Sequence, residues 1–94
     1  MPRVTILQRE YAWRYTEDRR VEELVEVVYS TPALPPRGVR LPVTDYRPAT
    51  PEEKAANPRY SYIPANGEAE ERERRAIEVD SSQAMRSPAT GFDL

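Results

Sequence analysis

The chain contains no cysteine and no histidine. The first absence excludes disulfides and thiolate metal sites, and the second removes the commonest general base and metal ligand. Lysine is nearly missing as well: Lys54 is the single one, and arginine supplies the rest of the 14 cationic residues. Apolar residues make up 38% of the 94, below the roughly 45–50% of ordinary globular domains. A chain of this length and composition builds only a small core. Nowhere is there the run of roughly 18 or more apolar residues that a membrane-crossing helix needs. The start, Met1-Pro2-Arg3-Val4, also lacks the apolar stretch of a signal peptide. Cytoplasmic synthesis is expected, with no membrane association. The net charge of −2 provides no overall positive field to hold a polyanion, so nucleic acid is not an expected partner.

What remains is rich in charge and proline: 32% of residues are Asp, Glu, Lys or Arg, and ten are proline. That balance suits a partly extended protein. The neighbouring carboxylates Glu22/Glu23, Glu52/Glu53 and Glu70/Glu71 point apart on either a helix or a strand, so they do not converge for acid–base work or for a hard cation. No spacing of Asp, Glu, Tyr, Ser or Lys54 matches a catalytic arrangement. The expectation is a protein that is not an enzyme and uses no cofactor or metal.

Residues 3–15 alternate as a strand, placing Thr5, Leu7, Arg9, Tyr11, Trp13 and Tyr15 on one face. Thr16-Glu17-Asp18-Arg19-Arg20 is a polar turn, and residues 21–30 form the returning strand of a hairpin, with Val25, Val27 and Tyr29 on one face. A helix over 17–29, capped by Thr16 with Val21, Leu24, Val25 and Val28 as its stripe, is the alternative. Gly38 permits a bend, and residues 38–43 read as an edge strand, where proline is tolerated. Thr50-Pro51-Glu52-Glu53 has the form of a capping box opening a short helix over 51–57, stopped at Asn57-Pro58. Arg59 to Pro64 is extended. After the Asn66-Gly67 turn, a second helix spans 68–80, its thin apolar stripe being Ala69, Ala76, Ile77 and Val79. Its Glu-Arg-Glu-Arg-Arg run at 71–75 reads as an exposed charged surface, with Glu68/Arg72, Glu70/Arg74 and Glu71/Arg75 paired at i,i+4. The expected fold is α+β, a small antiparallel sheet with two helices. One domain covers 1–80, and a polar tail covers 81–94.

Two stretches bear on partners. Pro32-Ala33-Leu34-Pro35-Pro36-Arg37 has the spacing Pro-x-x-Pro-x-Arg, which a polyproline helix displays with Pro32 and Pro35 on one edge and Arg37 beyond them. It is either a peptide ligand for a recognition domain or a stiff strut between strands, and the flanking strands favour the strut. The face Arg9, Tyr11, Trp13, Tyr15 interleaves a cation with aromatics, as sheets that stack single-stranded bases do. Glu10, Glu17, Asp18 and the negative net charge favour instead rings that cover a small core or a protein partner.

A small core, long extended segments and interface-prone aromatics describe a subunit stabilised by incorporation into something larger. The front hairpin, the Thr31–Arg37 crossover, the Thr50-Pro51-Glu52-Glu53 cap and the Arg75-Ala76-Ile77-Glu78 helix together resemble small structural proteins of tailed-bacteriophage virions. The resemblance implies a head, neck or tail component that works through protein contacts in an oligomer or larger assembly. The residues expected at protein interfaces are Tyr11, Trp13, Tyr15, Pro32, Leu34, Pro35, Arg37, Tyr60, Tyr62, Phe92 and Leu94. The alternative is an adaptor or regulatory module that uses the proline segment or the aromatic face.

Overall fold

The alternation of the front third folds as a long antiparallel hairpin, in which β1 (Thr5–Tyr15) and β2 (Val21–Thr31) pair from Tyr15↔Val21 back to Thr5↔Ser30. The computed structural model describes residues 3–86. Segment 17–29 is therefore turn and strand. The strand prevails over the helix because Val25, Val27 and Tyr29, all 0% exposed, share a face only at a period of two. In the turn, the Thr16 amide donates to the Arg20 carbonyl at 2.8 Å and the Thr16 hydroxyl accepts from the Arg20 amide at 3.1 Å. Arg19 adopts a φ of 63° there, a left-handed conformation that usually goes to glycine.

Strict alternation fails near the start of β1. Ile6 pairs with Tyr29 and Gln8 with Val28, leaving Leu7 as the extra residue of a bulge. A bulge reverses which face each residue takes on its far side. Ile6, not Leu7, thus shares Arg9's face and packs against the core.

The proline segment forms a turn, not a polyproline strut. Thr31 pairs with Leu34 across Pro32-Ala33, and the Leu34 amide donates to Thr31 Oγ1 at 3.1 Å. Proline's fixed φ suits the first central position of such a turn. Pairing resumes at once, so β3 (Leu34–Pro42) begins four residues before the expected edge strand and completes a sheet of order β1-β2-β3. Pro35 and Pro36 are accommodated by a second irregularity between Tyr29↔Arg37 and Thr31↔Leu34. Gly38 makes no bend: it lies opposite Val28, and a Cβ there would come within 3.2 Å of Glu26 Oε2.

After a 3-10 turn at Val43–Asp45, β4 (Tyr46–Pro48) and β5 (Tyr62–Pro64) form a second, two-stranded sheet that the sequence did not reveal. Between them lies α1 (Pro51–Ala56), which has the expected capping box. The Glu53 amide donates to Thr50 Oγ1 at 3.2 Å and the Thr50 amide to Glu53 Oε1 at 2.9 Å. Arg47 grips the same carboxylate with two bonds of 2.8 Å. The hydrogen bonds from Arg47, then that from the Thr50 amide, hold the Glu53 carboxyl down at about 2, against an ordinary 4.5. A carboxyl depressed on folding stabilises the native state above its unfolded pKa and loses that contribution as pH falls through the folded value. The melting temperatures of the wild type and Glu53→Gln should therefore differ at pH 6 and converge between pH 4.5 and about 2. A constant gap in thermal melts across that range would refute the linkage.

The long helix α2 runs from Gly67 to Arg86, past the expected end at Asp80. Asn66 caps it by accepting from the Ala69 amide at 2.8 Å. The buried residues are Ala69, Glu73, Ile77 and Ser81, a stripe at i,i+4 spacing, and Ser81 extends it beyond the expected end. The helix lies across the face of Val25, Val27, Tyr29 and Leu41, and Tyr46 and Ile77 complete the core. Val79, expected in the stripe, is exposed. The radius of gyration of 14.6 Å exceeds the about 12 Å of a compact chain of this length. The described residues form an α+β fold of flattened shape, with extents of 45 × 37 × 23 Å.

Candidate functional site

Helix α2 crosses only part of the sheet. The end of the first hairpin lies beyond it, and there β1 presents Tyr11, Trp13 and Tyr15 on one face, with Val21 opposite Tyr15. Their exposures are 47%, 51%, 66% and 57%, large values for side chains that gain most from leaving water. Trp13 and Tyr15 meet edge to face, ring centres 5.2 Å apart. The Tyr11 hydroxyl donates to Glu23 Oε1 at 2.8 Å. Both that hydrogen bond, the largest influence, and partial burial raise the phenol's pKa. These contacts order the rings without covering them.

The remaining residues expected at interfaces are scattered. Pro32, Leu34 and Pro35 sit at the opposite end of β2, whose 11 residues span roughly 33 Å at ~3.3 Å per residue. The Arg37 guanidinium is held by Asp80 of α2, through Nε at 2.9 Å and Nη2 at 3.4 Å. The Tyr29 phenol donates to the same carboxylate. Burial, followed by Asp80, pushes the Tyr29 phenol up to about 12, while the hydrogen bond from Arg37 keeps Asp80 low. Tyr60 and Tyr62 are half-buried, and the Tyr60 hydroxyl donates to the Ile6 carbonyl at 2.6 Å. Phe92 and Leu94 lie outside the described residues.

Arg9 does not belong to an open face. Its Nε and Nη2 donate to Glu73 Oε2 and Oε1 at 2.9 and 2.8 Å, and Tyr46 donates its hydroxyl to Glu73 Oε2 at 2.7 Å. The guanidinium also stacks 4.9 Å from the centre of the Tyr60 ring. Burial works against the Arg9 charge, but the hydrogen bond and charge of Glu73 outweigh it and raise the pKa. Burial first and Glu73 second drive the Tyr46 phenol far up. Glu73 is only 4% exposed, a correction to the expected charged surface at 71–75. The i,i+4 spacing from Ala69 to Ile77 was the available signal, obscured because a glutamate stood at the buried position.

Most other charges of α2 pair as surface ions, though not all with the expected partners. Arg72 clasps Asp45 at 2.8 Å, and Arg74 holds Glu71 at 2.7 Å and Glu78 at 3.2 Å in place of Glu70. A groove of about 350 Å³ runs between Val4 and Ile6 on one side and α2 on the other, from Gly67 to Ser82. Among the described residues no three acidic side chains converge as metal ligands, and no helix is long and apolar enough to cross a membrane. Comparison of the chain with known protein families, with curated proteins and with solved structures finds no match.

Proposed function

We propose that the chain is a non-enzymatic structural or assembly protein that binds other protein subunits through the aromatic end of its first hairpin. Exposure of Tyr11, Trp13, Tyr15 and Val21 beyond the cover of α2 carries this reading. Tyrosine and tryptophan are the residues that interfaces concentrate, since each combines a large apolar area with a polar tip. The resemblance to virion proteins supports the finer proposal of a head, neck or tail component. Single-stranded nucleic acid is the weaker ligand, because Arg9 is committed to Glu73 and Arg14 to Glu22 at 2.6 Å. The proline segment is the weaker ligand for a recognition domain, because Pro32 is fixed in a turn and Arg37 is held by Asp80.

A photoreactive benzophenone amino acid in place of Trp13, in the full chain within the cell that makes it, tests the proposal. Illumination should give covalent adducts with protein at position 13, and few from the same group at the exposed Glu52 on α1. Equal, low yields at the two positions would overturn the reading.

A further inference from the structure

We infer that the outer edge of β1 from Tyr11 to Tyr15 is a self-pairing edge, through which two copies of this chain join their sheets antiparallel about Trp13. The inference rests on the proposed contact surface and names its partner. The Arg9 amide donates outward to the Arg59 carbonyl at 3.1 Å, and the Arg9 carbonyl accepts from the Ser61 amide at 3.0 Å. The N–H and C=O of a strand residue point the same way, and alternate residues repeat that direction. Tyr11, Trp13 and Tyr15 therefore also direct their N–H and C=O outward, away from β2. The Thr16 amide fits this alternation, turning inward to Arg20. Among the described residues, backbone bonds to this outer side of β1 are made at Arg9 and at none of the three aromatics.

The two edges of the sheet are treated differently. At the outer side of β3, Pro35, Pro36 and Pro42 have no N–H to offer, a usual means of blunting an edge. The Tyr11–Tyr15 edge has no proline. Its side chains on the sheet face are aromatic, and among the described residues the outward backbone groups of Tyr11, Trp13 and Tyr15 make no backbone hydrogen bond, the requirements for strand addition.

A second copy fits because the segment reads nearly the same in both directions: Tyr11-Ala12-Trp13-Arg14-Tyr15. Antiparallel pairing centred on Trp13 sets Trp13 against its counterpart and Tyr11 against Tyr15, all at positions with outward backbone groups. On the other face Arg14 falls opposite Ala12, so no like charges meet. Arg14 is already neutralised by Glu22. The product is one continuous sheet built from the three strands of each copy, with the exposed rings gathered along the join.

The full chain at about 100 μM should elute, by size exclusion with light scattering, at twice the monomer mass, since association depends on concentration; the monomer is 10.8 kDa. Trp13→Lys and Trp13→Glu should each be monomeric, because position 13 meets itself and like charges then oppose one another. An equimolar mixture of the two should regain the dimer. Circular dichroism melts confirm that both variants fold, and slow amide exchange at Trp13 and Tyr15 in the wild type, faster on dilution, reads the same contact without substitution. A wild-type dimer with monomeric single variants and a dimeric mixture supports the inference. A monomeric wild type, a dimer in either variant alone, or a mixture that stays monomeric overturns it. A monomeric wild type that still gives benzophenone adducts with a different protein removes the second copy as partner and leaves the contact surface standing. A monomer with no adducts removes both.

Discussion

Glu73→Ala is expected to destabilise the protein by about 3–5 kcal/mol, the usual result of removing one partner from a buried ion pair. The carboxylate accepts two hydrogen bonds from Arg9 and one from Tyr46. Its removal leaves a guanidinium, only 11% exposed at the side chain, without a counterion and strands the Tyr46 hydroxyl. Against a total stability of roughly 5–15 kcal/mol for a small domain, that loss brings the chain near unfolding at room temperature. The urea midpoint should fall sharply with little change in slope. Arg9→Met combined with Glu73→Leu should recover much of the loss, since apolar replacements often equal a buried pair in stability. A loss below about 1 kcal/mol for Glu73→Ala would place the pair among solvated surface bridges and refute its role as the link between α2, β1 and β4.

Tyr29→Ala should cost a similar about 3–5 kcal/mol, by removing a ring from the centre of the core and leaving a cavity that α2 and the sheet cannot close. Tyr29 is fully buried against Val25, Val27 and Ile77, yet its hydroxyl reaches Asp80 at the margin of the helix. Tyr29→Phe keeps the ring and loses only that bond, for about 1 kcal/mol, while Arg37 continues to pair with Asp80. The contrast between the two variants in equilibrium unfolding separates packing from hydrogen bonding. Equal losses for both would mean that the hydroxyl, not the ring, secures the helix.

Local signals in the sequence were reliable where the physics is local. The capping box at Thr50–Glu53 depends on atoms three residues apart, and it is present as written. The alternation in residues 21–30 identified the buried face of β2, because burial of Val25, Val27 and Tyr29 requires only a period of two. Elsewhere, one unmarked residue changed the outcome. The bulge at Leu7 exchanged the faces of Ile6 and Leu7, and nothing in Ile6-Leu7-Gln8 signals it. Pro32-Ala33 could as well have continued into a polyproline run, and only pairing of β3 with β2 selected the turn. The two-stranded sheet of β4 and β5 joins segments of three residues each, too short for periodicity to register.

The candidate site divides in the same way. Tyr11, Trp13 and Tyr15 were readable as a group, since alternation alone puts them on one face. Their exposure was not readable, because it depends on where α2 stops covering the sheet. Arg9 looked like part of that open face until a glutamate 64 positions along the chain closed on it.

By itself, then, the sequence determined an α+β chain with a small core, a front hairpin, a capped short helix and an aromatic face, because composition and near-neighbour periodicity are properties of short segments. Only the tertiary structure decided that Glu73 is buried, that Arg37 is bound to Asp80, and that the aromatic end of the hairpin is left uncovered. Each of these depends on the placement of α2 across the sheet, and no local pattern encodes which charges that placement brings together or which rings it leaves in water.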